Sequence, residues 1–321
     1  MAITPDQVHW FSDTFANVVR NIERVILGKT EAIRLAVTCL VAEGHLLLED
    51  YPGTGKTTLA RALAQSVEGT SSRIQFTPDL LPSDVTGVTI YDQKSGEFEF
   101  HQGPIFASVV LADEINRASP KTQSALLECM EEGQVTVDGT TYTLRRPFMV
   151  MATQNPIEME GTFPLPEAQR DRFMARISMG YPTGPAELAM LDTHGATSPL
   201  DTLRPVTDGA TVQRLADHVQ SLHASPGLRQ YIVDIAAATR TTSMLRLGAS
   251  PRAALQLLRA ARAHAALEGR DHVIPEDVVA LVPAVLAHRL LPSAETQVAH
   301  RTTTDVLHDL VRRVPVPSAA R

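Results

Sequence analysis

Residues 49–58 read Glu49-Asp50-Tyr51-Pro52-Gly53-Thr54-Gly55-Lys56-Thr57-Thr58, and the reading of this stretch decides the fold. Before it, His45-Leu46-Leu47-Leu48 is a short apolar run that suits a buried strand. After it, Leu59, Ala60, Leu63, Ala64 and Val67 share one helical face, so a helix is expected over Thr57–Val67. A strand, a Gly-rich turn and a helix opening on Gly-Lys-Thr make a phosphate cradle, because backbone N–H groups and the positive helix end point at the anion. The candidate nucleotide-binding residues are therefore Gly53, Thr54, Gly55, Lys56, Thr57 and Thr58. Lys56 is expected to reach the β/γ-phosphates and the Thr57 hydroxyl to sit on Mg²⁺. The full pattern has Gly at position 50, where this chain has Asp50. That departure matters little if Gly53 and Gly55 supply the sharp turns.

A phosphate loop needs an acidic partner, and Ser108-Val109-Val110-Leu111-Ala112-Asp113-Glu114 provides one: a buried strand ending in two carboxylates. Asp113 is placed to orient the Mg²⁺ water shell and Glu114 to polarise the attacking water. A further buried strand, Phe148–Ala152, runs into Thr153-Gln154-Asn155-Pro156. Ligands bind at the carboxyl ends of strands in an open α/β sheet, so the Asn155 amide is a candidate for holding the water or the γ-phosphate.

Outward from these anchors, Thr4-Pro5-Asp6-Gln7 opens a helix carrying Val8, Phe11, Phe15, Val18, Val19 and Ile22. Val25-Ile26-Leu27-Gly28 interrupts it, and a second helix follows over Thr30–Glu43. Ser72–Phe76 reads as a strand. Thr89–Asp92 and Glu97–His101 read as a hairpin around Lys94-Ser95-Gly96, with Phe98 and Phe100 on one face. Packing of that face onto a neighbouring helix is the expected use. Ser119-Pro120 starts a helix ending near Gly133, and Gln134–Val137 with Thr140–Leu144 forms a second hairpin through Asp138-Gly139. Pro164–Ile177 is a short amphipathic segment with Arg170, Asp171, Arg172 and Arg176. Beyond Tyr181 the chain reads as helical: Thr211–Leu222, Leu228–Thr239, Ser250–Glu268, Pro275–Leu290 and Thr303–Arg313.

Composition sets bounds on this reading. With 321 residues, 44% hydrophobic and 20% charged, the chain has the make-up of a soluble globular protein large enough for two domains. A net charge of −7 argues against general nucleic-acid affinity. The charge is uneven: residues 240–321 hold 11 Arg against 7 acidic residues, a bias that reads as a solvated face. Two cysteines, Cys39 and Cys129, make no disulfide framework, so a reducing, cytoplasmic location is expected. No apolar run nears 18 residues, so no membrane insertion is expected.

Taken together, the stretches EDYPGTGKTT, LADEINRASPKTQSALLECMEEGQVTVDG, MATQNPIEMEGTFPLPEAQRDRF, GASPRA and VIPEDVVALVPAVLAHR resemble the MoxR family of AAA+ ATPases. The resemblance implies a P-loop NTPase αβα core with a parallel sheet and two hairpin insertions. A small all-helical AAA+ lid domain would follow, dividing the chain into residues 1–180 and 181–321. It also implies site roles: Asn155 as sensor 1, Arg172 in Asp171-Arg172-Phe173 as an arginine finger for the neighbouring subunit, and Arg252 as sensor 2. Arg170 departs from the apolar residue usual there, which leaves the finger open between Arg170 and Arg172. Ile26 and Gly28 lie where the family lines the adenine pocket. The implied cofactors are ATP and Mg²⁺, and the implied partners are other copies of the chain in a ring, expected as a hexamer, and a protein with a von Willebrand factor A domain. The expected work is remodelling or maturation of a partner. Alternatives are the motor of a magnesium- or cobalt-chelatase and, from another class, a nucleotide-gated DNA motor. The hairpin tips offer only Lys94 and no Arg, which disfavours DNA.

Overall fold

The computed structural model describes residues 5–51, 53–154, 162–193 and 199–317. Along the chain the strands are β1 (Leu46–Glu49), β2 (Ser71–Gln75), β3 (Gly87–Asp92), β4 (Glu97–Gln102), β5 (Val109–Asp113), β6 (Gln134–Val137), β7 (Thr140–Thr143), β8 (Met149–Gln154) and β9 (Ala175–Ile177). Five of them form one parallel sheet in the order β2-β5-β8-β1-β9. The other four are the two expected antiparallel hairpins, β3-β4 and β6-β7.

The sheet explains why β1, β5 and β8 are apolar up to their polar carboxyl ends. Alternate side chains feed two separate cores. Leu46, Leu48, Val109, Leu111, Met149 and Met151 enter a cluster shared with helices Pro5–Glu23, Thr30–Val41 and Lys56–Ser66. Leu47, Val110, Ala112, Val150 and Ala152 enter the cluster on the opposite face, closed by Leu126, Leu127 and Met130 of helix Pro120–Glu132. The first cluster continues into helices Gly209–Ser221, Pro226–Thr241, Pro251–Leu267, Pro275–Leu286 and Thr303–Val311. The result is an αβα core followed by a helical lid.

Three expectations are corrected. Pro164–Ile177 is not one amphipathic segment: helix Glu167–Arg170 is followed by β9, which pairs with β1 at the sheet edge. The helical part holds a two-stranded piece, Leu245–Leu247 against Leu291–Pro292. Phe100 packs on the second hairpin and not on a helix, stacking on Tyr142 at 4.1 Å between centroids, while Phe98 is 75% exposed beside Tyr91. Cys39 and Cys129 are core fillers, and burial pushes both thiols up to about 12.

Candidate functional site

The phosphate loop turns where glycine is required. Gly53 has φ +79° and Gly55 φ +89°, backbone that L side chains seldom adopt. Helix Lys56–Ser66 starts on Gly55, so its unpaired N–H groups and positive end face the loop. A Cβ on Gly55 would lie 3.8 Å from Ile26 and 3.9 Å from Met179, which places Ile26 against the loop. Gly28, at φ +71°, lies against Ala186 and Thr183, so residues 26–28 and 179–186 wall one side of the cradle. Tyr51 stacks on Tyr181 at 5.4 Å.

Asp50 has a role that its mismatch with the usual pattern did not suggest. It is 2% exposed, and its carboxylate accepts the N–H groups of Tyr51 at 2.8 Å, Met179 at 2.6 Å and Gly180 at 2.7 Å. The Lys56 ammonium donates to the Asp50 carbonyl at 3.0 Å. Asp50 thus fastens the segment leading towards the lid onto the phosphate loop.

At the end of β5, Thr153 organises the acidic pair. Its hydroxyl donates to Asp113 Oδ1 at 2.6 Å and accepts the Glu114 N–H at 2.8 Å. Glu114 sits in the left-handed region at φ 57°, where few non-glycine residues lie. Two side chains of β2 hold the acids from the flank. Arg73 ion-pairs with Asp113 at 2.7 Å, and the Gln75 amide donates to Glu114 at 2.8 Å. Arg117 adds a third contact to Glu114 at 3.0 Å. Asn155 lies outside the described residues.

Arg172 and Arg252 gather elsewhere. Both pair with Glu131 at the end of helix Pro120–Glu132, Arg172 at 3.1 Å and Arg252 through the other carboxylate oxygen. Their cleft, about 690 Å³, is lined by His45, Phe148 and Met174, the residues just before β1, β8 and β9. This is the amino edge of the sheet, opposite the phosphate loop. A strand rises about 3.3 Å per residue, so the five steps from His45 to Asp50 separate the two edges by about 16 Å. Arg170 does not join this cluster; it pairs with Glu167 on its own short helix, at 3.7 Å.

Residues 45–175 match the ATPase family associated with various cellular activities (AAA), and residues 237–310 match the AAA lid domain. The chain is 40% identical to the chaperone MoxR1 of Mycobacterium tuberculosis over 95% of this chain and 82% of that one. It is 35% identical to the protein MoxR of Paracoccus denitrificans, over 95% of this chain and 97% of that one. The chain belongs to the MoxR family of AAA+ ATPases. An uncharacterized Bacillus subtilis relative, YeaC, is 50% identical over 93% of both chains. A crystal structure from Cytophaga hutchinsonii, described as a candidate ATPase, superposes with a TM-score of 0.91 at 37% identity, covering 98% of each chain.

As a MoxR-family ATPase the chain binds and hydrolyses ATP. The side chains available would suit a hard divalent cation: the Thr57 hydroxyl and the Asp113 carboxylate offer oxygen donors. Among the described residues no cluster of three or more His, Cys, Asp or Glu could hold a metal. Mg²⁺ suits such a sparse set, since it keeps several waters and leans on substrate phosphates. Sequence reading missed Arg73, Gln75, Thr153, Asp50 and Glu131. The first two carried a signal in hindsight: alternate positions on a strand share a face, so Arg73 and Gln75 had to project together beside Asp113 and Glu114. No helix is long and apolar enough to cross a membrane among the described residues.

Proposed function

We propose that this chain is an Mg²⁺-dependent ATPase of the cytoplasm that works as a hexameric ring and remodels or matures a partner protein. The observation that supports this reading most directly is the position of Arg172 and Arg252, on the sheet edge away from their own phosphate loop. Arginines gathered at the sheet edge opposite their own phosphate loop are poorly placed for that site, whereas across a subunit interface they can meet the neighbour's γ-phosphate. Both arginines are assigned to act in trans, with Arg172 rather than Arg170 as the finger.

Within each site the roles are as follows. The loop amides and Lys56 hold the phosphates, with Ile26 and Gly28 beside the adenine. Thr57 and Asp113 hold Mg²⁺, which when bound neutralises charge on the β- and γ-phosphates. Glu114 polarises the attacking water, and Asn155 orients it. Contacts with Gln75 and Arg117 aim the Glu114 carboxylate. The division at residue 181 separates the core that does this chemistry from the lid that carries Arg252. The likeness to MoxR proteins favours a partner containing a von Willebrand factor A domain.

Mixing two inactive variants tests the arrangement. Lys56→Ala lacks a working phosphate loop but still donates Arg172, while Arg172→Ala keeps its loop and lacks the finger. Mixed rings recover ATPase activity if the finger acts across the interface. Mixed rings seen by native mass spectrometry with no recovery at any ratio would sink the reading.

A further inference from the structure

The turn Asp171-Arg172-Phe173 belongs to the core, yet several of its contacts go to the C-terminal helical part. The Asp171 carboxylate accepts the Ser250 hydroxyl, which lies 2.9 Å from both oxygens. Arg289 stands 3.6 Å from the same carboxylate. On the other side of Arg172, the Phe173 carbonyl accepts from His288 Nε2 at 3.1 Å and from an Arg289 Nη2–H. That Arg289 nitrogen also reaches Gln256, on the helix that carries Arg252.

Ser250 ties the two arginines together. It is the N-cap of helix Pro251–Leu267, accepting the Ala253 N–H at 3.1 Å while donating to Asp171. One hydroxyl therefore links the start of the Arg252 helix to the residue before Arg172. Arg289 is 3% exposed, and burial pushes its guanidinium down to about 10. A buried charge is a poor source of stability, because desolvation offsets most of its pairing. One of its nitrogens, Nη1, has no hydrogen bond in the interior. Stability alone does not account for a guanidinium at this position, whereas geometry does: its planar fork spans Asp171, the Phe173 carbonyl and Gln256 at once.

We propose that Arg289 is a positioning residue for ATP hydrolysis: with Asp171 and Ser250 it clamps the Arg172 turn to the helix bearing Arg252, so that both arginines meet a neighbouring subunit's nucleotide as one rigid unit. This rests on the reading that the arginines act in trans. A displacement of about 1 Å in a positioned catalytic group costs on the order of 10²-fold in rate. The lid therefore controls the neighbour's site through the finger as well as through Arg252.

The test places Arg289→Met on one side of the interface at a time. In mixtures of Lys56→Ala with Arg172→Ala, the first subunit donates the finger and the second supplies the nucleotide site. Arg289→Met added to the Lys56→Ala donor should cut the recovered activity by about 10²-fold. Added to the Arg172→Ala acceptor, it should leave recovery within about twofold and the acceptor's ATP affinity unchanged, since its phosphate loop lies at the other sheet edge. Equal loss from either side means general destabilisation and overturns the proposal. Full recovery with the substituted donor overturns it as well. No recovery in the parent mixture, with mixed rings present, overturns the trans reading and the clamp with it. Arg289→Lys, which keeps the charge and loses the fork, and Ser250→Ala, which removes the shared hydroxyl, should show the same donor-only loss. They decide the question if Arg289→Met fails to fold by circular dichroism.

Discussion

The Asp50 carboxylate accepts three backbone N–H groups where most phosphate loops have a glycine with no side chain. Removing it strands the buried Met179 amide and its neighbour Gly180, each at a cost of about 1–3 kcal/mol. Asp50→Ala should therefore lower unfolding stability by about 2–5 kcal/mol in urea titrations, and Asp50→Asn, which keeps an acceptor oxygen, by less. Equal losses in the two variants would mean that the acceptor geometry is not what matters. Lys56→Ala should weaken ATP binding by about 10²-fold in calorimetry, because a charge-assisted contact to the phosphates disappears. Glu114→Gln should bind ATP with near-normal affinity and turn it over about 10²–10⁴ times more slowly. At this scale the sequence was legible wherever a residue's role is set by its immediate neighbours. Gly53 and Gly55 are fixed by one turn, and their left-handed backbone was readable from it. Thr153, Glu131 and Asp50 act on residues 39 or more positions away, and no local pattern announces a partner at that distance.

The strands show the same division one level up. Continuous apolar runs identified β1, β5 and β8, because burial on both faces leaves a signature in every residue. β9 escaped notice because three residues, Ala175–Ile177, complete the sheet edge, with Arg176 half-buried and paired to Glu49 at 2.8 Å. A three-residue edge strand has no room for a period. At the amino edge, His45 makes a pH-dependent join between elements. Its Nδ1 accepts the Val150 N–H at 3.0 Å, which leaves Nε2–H to donate to the Met130 carbonyl at 3.0 Å. The ring must be neutral to do both, and burial lowers its pKa to about 4 against the partial opposing effect of the Met130 carbonyl. An unfolded histidine titrates near 6.5, so the unfolded chain takes up the proton first as pH falls. The stability His45 contributes is therefore complete above about pH 6.5 and declines towards pH 4, by about 3 kcal/mol over that window. Urea unfolding at pH 7.5 and 4.5 should show a smaller pH effect in His45→Gln than in the wild type. An identical pH effect in both proteins would remove His45 from this role.

For the whole molecule, the decisive geometry is that one chain presents two charged groups at opposite edges of its sheet: a phosphate loop with its acids, and a pair of arginines gathered on Glu131. The αβα core and helical lid were legible because each element carries its own periodicity. Where the lid sits was not, since the cluster joining it to helices Pro5–Glu23 and Thr30–Val41 depends on contacts scattered over the chain. That placement yields a prediction about coupling. Arg172 and Arg252 share one carboxylate and, in the proposed ring, one γ-phosphate. Groups that act as a unit lose most of their effect with the first deletion, while independent groups multiply their losses. Arg172→Ala and Arg252→Ala should each lower kcat by about 10²–10³-fold without weakening ATP binding to the isolated subunit. The double variant should then fall no more than about tenfold below the worse single one, because the second arginine has little left to stabilise once the first is gone. If the two arginines acted independently of each other at the site, the two losses would multiply. Single-turnover rates of the four proteins, at one concentration where native mass spectrometry shows equal assembly, separate the two cases. A multiplicative double variant would mean that the two arginines stabilise the reaction independently and do not act as one unit through Glu131.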